Sequence, residues 1–220
     1  DGDGDGDTSS TSTSTSTSTS GDGDGDGDGS CFELDFTVES PTLNIALVLD
    51  KSKSMFENDI GPGVTRWDQL HATVTDITTA FDGSVNFGSV LFPSVGASSS
   101  GVNACLVDGT ASVGIAEMNA ANVVASMPAQ GTLPSDPDAA GGTPANNGLV
   151  EAYSLLDTAG ASNGAPEIAI LITDGAANCN TDEANGTECP DYSYSHALFR
   201  TYDDRLLPTV QQATADGITT

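Results

Sequence analysis

The 220-residue sequence predicts an α/β fold with a mostly parallel central sheet. Two near-continuous apolar runs, LNIALVLD at Leu43–Asp50 and EIAILITDG at Glu167–Gly175, are typical of strands that are buried on both faces. Segments with helical spacing alternate with such runs along the chain. This alternation favours parallel strands that are joined by helical crossovers.

The first long helix is predicted from a capping box, in which Thr65 is followed three residues later by Asp68. Apolar residues then repeat at helical spacing and are expected to form its buried face: Trp67, Leu70, Val74, Ile77 and Phe81. The stretch VNFGSVLFP at Val85–Pro93 is predicted to be the second long strand of the sheet.

The middle of the chain, Ser94–Gly142, is rich in Gly, Ser, Ala and Pro. It is expected to hold a short strand near Ala111–Ala116 and a short helix around Asn119–Ser126. Thr143 and Pro144 predict the start of the next helix, with the threonine as its N-cap and the proline at its first helical position. The buried face of that helix is expected to carry Leu149, Tyr153 and Leu156.

Composition divides the chain into two predicted parts. Residues 1–30 consist of Asp-Gly and Ser-Thr repeats without an apolar residue, which predicts a disordered linker. Residues 31–220 have the composition of a globular domain. Near its end, a helix in the stretch that starts at Leu206 is expected to stop at Gly217, ahead of the first residues of a further strand.

One calcium-loop pattern falls partly within the linker. The pattern D-x-D-x-D-G-x5-E is matched by Asp22, Asp24, Asp26, Gly27 and Glu33. The Asp-Gly repeat itself supplies every position except the glutamate, and no helix is predicted on either side. The expectation for this tail is therefore diffuse, weak Ca²⁺ binding.

The charge of the chain excludes several classes of function. The sequence has 32 Asp and Glu residues against five Lys and Arg, for a formal net charge of −27. A nucleic-acid-binding role is disfavoured because no basic surface can form, and binding to anionic membranes is disfavoured for the same reason. No apolar segment resembles a signal peptide or a membrane span, so direct membrane insertion is not expected. Divalent cations are the natural counterparts of such a surface, although solubility alone also explains the charge.

The chain has four cysteines, Cys31, Cys105, Cys179 and Cys189, without the CxxC spacing of zinc or redox sites. Cys179 and Cys189 bracket a polar loop and are expected to form a local disulfide, which leaves Cys31 to pair with Cys105. Paired cysteines, few lysines and the repeats of the linker together indicate an extracellular, cell-surface or periplasmic protein. Free cysteines in a cytosolic protein are the alternative.

Five oxygen-bearing side chains are expected to meet at one edge of the sheet. Asp50 and Asp174 each follow a buried strand, and Thr143 heads a helix on the same side. Ser52 and Ser54 share one face if the loop after Asp50 is extended. Ligands of open parallel sheets bind beyond the carboxyl ends of the strands. Such oxygens suit Mg²⁺, Mn²⁺ or Ca²⁺, whereas the absence of His and Cys from the group argues against zinc and copper.

Three motifs in this region together resemble those of von Willebrand factor type A (VWA) domains. They are DKSKS at Asp50–Ser54, GGTPANNGL around Thr143, and LITDG around Asp174. In that family the three motifs form the metal-ion-dependent adhesion site. The resemblance covers about residues 43–220. It implies a Rossmann-like three-layer sandwich whose last strand and helix lie outside this sequence.

The resemblance also implies roles for the site residues. Ser52, Ser54 and Thr143 are expected to contact one divalent cation directly, with Mg²⁺ favoured over Mn²⁺ and Ca²⁺. Asp50 and Asp174 are expected to act mainly through water and through hydrogen bonds to the hydroxyls. Neutral ligands leave the charge of the cation largely unquenched, so an open coordination position attracts a carboxylate from an acidic protein ligand. The expected function is metal-dependent protein binding or adhesion.

Two lysines depart from the pattern of the family. Lys53 stands where these domains usually have glycine, and Lys51 precedes the first serine. Both ammonium groups are expected to lie in solvent; the alternative is that they attract an acidic ligand. The loop Asn178–Ser195 follows Asp174 and is expected to border the metal.

Two other functions compete with adhesion. A structural surface domain whose metal only stabilises the fold is one of them. The other is a phosphatase-like enzyme with Asp50 as its nucleophile. The enzyme is disfavoured because Ser52 stands where such enzymes carry a second aspartate, and because no other catalytic motif follows a strand.

Overall fold

The computed structural model describes residues 42–98, 102–109, 112–179 and 202–220, which belong to one compact unit, Glu39–Thr220. Within those ranges the structure contains six strands and five α-helices, with a short 3₁₀ helix at Val102–Cys105. In chain order the strands and α-helices are β1 (Leu43–Asp50), α1 (Lys53–Glu57), β2 (Asp59–Gly61), β3 (Val64–Thr65), α2 (Arg66–Phe81), β4 (Val85–Phe92), β5 (Val113–Ala116), α3 (Ala120–Ser126), α4 (Ala145–Asn163), β6 (Glu167–Ile172) and α5 (Leu206–Ala215).

The main sheet has the strand order β5-β4-β1-β6. β1 pairs in parallel with both β4 and β6, and β5 pairs antiparallel with β4. The predicted α/β fold with a mostly parallel sheet is therefore confirmed. After α5, Thr219 pairs in parallel with Ile168, so the residues that follow Gly217 lie along β6, as the sequence predicts.

Helices α4 and α5 cover one face of this sheet. The alternate residues of β1 that point to this face are small, Ala46 and Val48, and they pack against the buried face of α4. Gly148 allows the close approach, because a Cβ atom at this position would lie 2.9 Å from a ring carbon of Phe92. Leu149 and Leu156 are fully buried here, as predicted.

Helices α2 and α3 cover the other face. The predicted capping box is confirmed: the Thr65 hydroxyl accepts from the Asp68 N–H, and the Asp68 carboxylate accepts from the Thr65 N–H. Near the N-terminus of α2, Trp67 is fully buried, stacks on Phe56 at 5.0 Å and donates its indole N–H to Pro128 O at 3.0 Å. The half of this sheet face that lies near the start of α2 is therefore covered by buried side chains.

The other half of this face is open, which corrects the prediction for α2. Ile77 and Phe81, expected in the core, are 45% and 52% exposed. They line an apolar groove of about 260 Å³ between α2 and the strands β1 and β6. Helical spacing predicted correctly that these side chains lie on the sheet side of α2, but not that the groove remains uncovered within the described residues.

Smaller corrections concern element ends. The predicted strand and helix of the middle region are β5 and α3, with shorter bounds than expected. α4 begins at Ala145 with Pro144 as its N-cap residue, so Thr143 is not the N-cap. No helix in the described ranges is long and apolar enough to cross a membrane. The linker and the calcium-loop pattern lie outside the described residues, so those expectations stay predictions; Cys31 and Cys189 lie outside them as well.

Candidate metal site

The candidate site is built first on Asp50, the last residue of β1. Its carboxylate is fully buried. One oxygen accepts from the Ser52 N–H at 2.7 Å, and the other accepts from the Thr173 hydroxyl at 2.6 Å. Burial raises the pKa of Asp50 to about 6, and the hydrogen bonds from Thr173 and Ser52 offset only part of that rise. The carboxylate thus holds together the loops that follow β1 and β6.

The two serines of the loop after β1 are in contact. Ser52 Oγ lies 3.1 Å from Ser54 Oγ, and Ser54 Oγ donates to Asp174 Oδ1 at 2.9 Å. The side chain of Ser52 does not cap α1, although Ser52 is its N-cap residue, so this hydroxyl is directed to the neighbouring serine instead. A continuous row of oxygens therefore runs between the carboxyl ends of two adjacent strands.

Thr143 reaches the same edge through its backbone. Its N–H donates to Asn178 Oδ1 at 2.8 Å, and its carbonyl accepts from the Asn178 N–H at 2.9 Å. Two residues earlier, the carbonyl of Gly141 accepts from the Lys53 N–H at 3.3 Å. The chain around Thr143 therefore lies between the serine loop and the segment that follows Asp174. Asn178, the first residue of the loop that was expected to border the metal, takes part in this arrangement.

The cysteine pairing differs from the expected one. The structure forms a Cys105–Cys179 disulfide, which excludes the predicted pairs of Cys179 with Cys189 and of Cys31 with Cys105. The reason is spatial, because the residues that precede the two cysteines flank the threonine segment. The carbonyl of Ala104 accepts from the Gly142 N–H at 2.9 Å, opposite the contact made by Asn178.

Of the two lysines, Lys51 differs from expectation. Lys51 is fully buried, and its ammonium donates to the carbonyl of Asp138 at 2.7 Å. Burial lowers the pKa of Lys51 to about 8, against the opposing effect of the charges on Asp138 and Asp50. The side chain of Lys53 is 43% exposed, in agreement with the expectation, and forms an ion pair with Glu57 at 2.8 Å. Lys51 cannot meet a ligand directly, because its charge is used to tie the serine loop to the loop that precedes Thr143.

One residue of this edge was missed by sequence reasoning. Arg66, the first residue of α2, contacts the second oxygen of Asp174 through its guanidinium. The signal was present, because the Thr65 capping box starts a helix soon after the carboxyl end of β1. The first residues of such a crossover helix lie near the edge where ligands bind.

The donor set fits a hard divalent cation. Direct hydrogen bonds bring Ser52, Ser54 and Asp174 together, and Asp50 joins them through the Ser52 N–H. Within the described ranges, no group of three or more His, Cys, Asp and Glu side chains could hold a metal. The oxygens present here are hydroxyls of Ser52 and Ser54 and the carboxylate of Asp174, and oxygen ligands of this kind, together with water, suit Mg²⁺, Mn²⁺ and Ca²⁺.

Comparisons with known proteins give structural neighbours only. No protein-family model and no curated protein matches the chain. Two crystal structures of the pilus adhesin SpaC from Lactobacillus rhamnosus GG, one in an open conformation, each have a TM-score of 0.53 and share 21% and 20% sequence identity over 81% of this chain. The PilB minor pilin from Streptococcus sanguinis has a TM-score of 0.43 at 19% identity, over 77% of this chain and 40% of its own. The chain spans about a quarter of the adhesin, 24% and 23% in the two structures, and is similar to that part in fold.

Proposed function

We propose that the chain is a VWA-type, divalent-metal-dependent protein-binding module of an exported or cell-surface protein. One cation, Mg²⁺ in preference to Mn²⁺ or Ca²⁺, is held by Asp50, Ser52, Ser54, Thr143 and Asp174. The ligand is an acidic group of a partner protein. The observation that carries this proposal is the row of oxygens from Ser52 through Ser54 to Asp174, which joins the ends of two strands.

The contacts support a division of labour among these residues. Both oxygens of Asp50 accept hydrogen bonds from the protein, so this carboxylate orients the serine loop. The hydroxyls of the buried Ser52 and the partly exposed Ser54 are neutral ligands at this edge of the sheet. When bound, the cation supplies positive charge and an open coordination position. Neutral ligands leave that charge available to a carboxylate of the partner.

The same geometry argues against a phosphatase. A nucleophilic aspartate needs an accessible carboxylate oxygen, whereas Asp50 is fully buried with both oxygens in hydrogen bonds. A protein of similar fold is named as a pilus adhesin, which agrees with a binding role rather than a catalytic one. The Cys105–Cys179 disulfide supports an oxidising location outside the cytoplasm.

Thermal melting tests the metal site. We expect Mg²⁺ at about 100 times its Kd to raise the Tm by roughly 5–10 °C over protein in EDTA. Asp174→Ala should lose this shift. Asp216→Asn removes an exposed carboxylate at the end of α5 and is the matched control that should retain it. Equal melting of the native protein in Mg²⁺, Mn²⁺, Ca²⁺ and EDTA would contradict the proposal.

Retention on a carboxylate-bearing resin separates adhesion from a purely stabilising metal. We expect the native protein to be retained in Mg²⁺ and released by EDTA. Thr143→Ala should lose retention while its circular dichroism spectrum stays unchanged. A metal-dependent Tm shift without metal-dependent retention would instead support the structural alternative.

A further inference from the structure

The contact between Arg66 and Asp174 has a consequence for metal binding. Ser54 donates to one oxygen of this carboxylate, and the Arg66 guanidinium contacts the other. The side chain of Asp174 is 9% exposed and that of Arg66 is 39% exposed. Arg66 and a cation bound by Ser52 and Ser54 would therefore both interact with the Asp174 carboxylate. Arg66 reaches it from within the chain, and the cation reaches it from solution.

Local structure holds Arg66 in this position. The β2–β3 pairing and the Thr65 capping box precede it, and the Arg66 N–H donates to the carbonyl of Asn58 at 3.0 Å. Backbone contacts thus fix the base of this side chain on the side of α2 that faces the site. The guanidinium does not depend on a flexible loop to reach Asp174.

The charge of the chain makes this position unusual. Only five residues of the sequence are Lys or Arg, and three of them lie at this edge. Lys51 is bound to the carbonyl of Asp138 and Lys53 is paired with Glu57. Arg66, the third, contacts the carboxylate of Asp174 in the candidate site.

We propose that Arg66 competes with the divalent cation for Asp174 and thereby sets the metal affinity of the site. This inference rests on the proposed function, because it needs a cation that uses Asp174. When a dication approaches the Asp174 carboxylate, it either displaces the Arg66 guanidinium or remains within about 5 Å of that positive charge. Either outcome weakens binding, by roughly tenfold for a single charge at that distance in water.

Calorimetric titration with Mn²⁺ tests the competition. Four proteins are compared: the native chain, Arg66→Gln, Arg66→Lys and Lys53→Gln. We expect Arg66→Gln to bind Mn²⁺ about tenfold more tightly than the native chain. Arg66→Lys keeps the charge and should stay within about threefold of the native affinity. Lys53→Gln removes a charge from the same edge but leaves the Arg66–Asp174 contact in place, so it should change the affinity less than Arg66→Gln. Circular dichroism in EDTA checks that each variant is folded.

The possible failures are distinguishable. Equal affinity of the native chain and Arg66→Gln, or weaker binding by Arg66→Gln, would overturn the competition and leave the metal site intact. Equal tightening by Lys53→Gln would also overturn it, because the effect would then be one of general charge. If none of the four proteins binds Mn²⁺, the proposed function and this inference both fall.

Discussion

The carboxyl edge of the sheet and the groove beneath α2 reverse the usual distribution of polarity. At the edge, the charged residues Asp50 and Lys51 are fully buried. In the groove, the apolar side chains of Ile77, Phe81 and Ile170 are 39–52% exposed. Proteins normally place charged groups at the surface and large apolar groups inside. The same sheet thus carries both exceptions, at different places along its strands.

The buried charges of the edge have partners that offset the cost of burial, whereas the exposed apolar side chains of the groove have no cover among the described residues. The buried carboxylate of Asp50 and the ammonium of Lys51 both have hydrogen-bond partners, without which burial would cost several kcal/mol. Among the described residues, Asn86 Oδ1 alone is a buried side-chain polar atom without a partner, and it lies at the opposite end of the sheet. The edge is therefore a fully satisfied polar network, whereas the groove is bare apolar surface. A core built only for stability would contain neither.

The largest effect is expected at Lys51. Lys51→Ala leaves a cavity, an unpaired carbonyl at Asp138 and a less compensated charge on Asp50. We expect a loss of about 3–4 kcal/mol in the free energy of unfolding, measured by urea denaturation in EDTA. Lys53→Ala, at a half-exposed ion pair, should cost less than about 0.5 kcal/mol. Similar losses for both lysines would show that the edge is not the connected network described above.

The next effect concerns the pH dependence of stability at Asp50. Because burial raises its pKa to about 6, the folded state holds the proton more tightly than the unfolded state, whose pKa is about 3.8. The resulting stabilisation is present below pH 4 and is lost as the pH rises through about 6. In EDTA, the free energy of unfolding of the native protein relative to Asp50→Asn should fall by about 2 kcal/mol between pH 4 and 7.

Subtracting the variant removes the titration of the other carboxylates, which both proteins share. A difference between native protein and Asp50→Asn that does not change with pH would mean that Asp50 is better solvated than its position suggests. The contrast between edge and groove would then be weaker.

The smallest effect is expected in the groove. Ile77→Ala should reduce the free energy of unfolding by less than about 1 kcal/mol, since almost half of this side chain is already in water. Val74→Ala, one turn earlier in the same helix at a buried position, is the matched control and should cost about 2 kcal/mol. Equal costs for the two variants in thermal or urea denaturation would show that Ile77 is covered in solution.

Sequence periodicity was sufficient for the long strands and helices of the fold, but α1, β2 and β3 were not predicted. The apolar runs at β1, β4 and β6 predicted a parallel sheet because strands buried on both faces need no polar alternation. The Thr65 capping box marked the start of α2 correctly, because a cap depends only on residues three positions apart. The meeting of the two serines with Asp174 was also predictable, since the ends of adjacent parallel strands lie at one edge. The chain after Asp50 is helical from Lys53, however, and not extended as expected.

The errors arise where partners are distant in sequence. Cys179 pairs with Cys105 because the segment around Thr143 lies between their loops, a fact that no spacing encodes. Lys51 is buried because the carbonyl of Asp138 is available to it, and Arg66 meets Asp174 only through the fold. Local reasoning treats a lysine in a loop as solvated and a cysteine as paired with its neighbour. Both rules fail here, because Lys51 and Cys179 have partners from segments that are distant in sequence and close in the fold.

The disulfide has a practical consequence for preparing this protein. It joins Cys105 and Cys179, whose neighbours Ala104 and Asn178 bind the backbone on either side of the Gly142–Thr143 peptide. Expression in a reducing bacterial cytoplasm would leave this clamp open while the helices and sheet still form. Such material would pass a far-ultraviolet spectrum yet present a loosened threonine loop to any titrant. Periplasmic export or oxidative refolding, checked by counting free thiols, should come before every metal measurement.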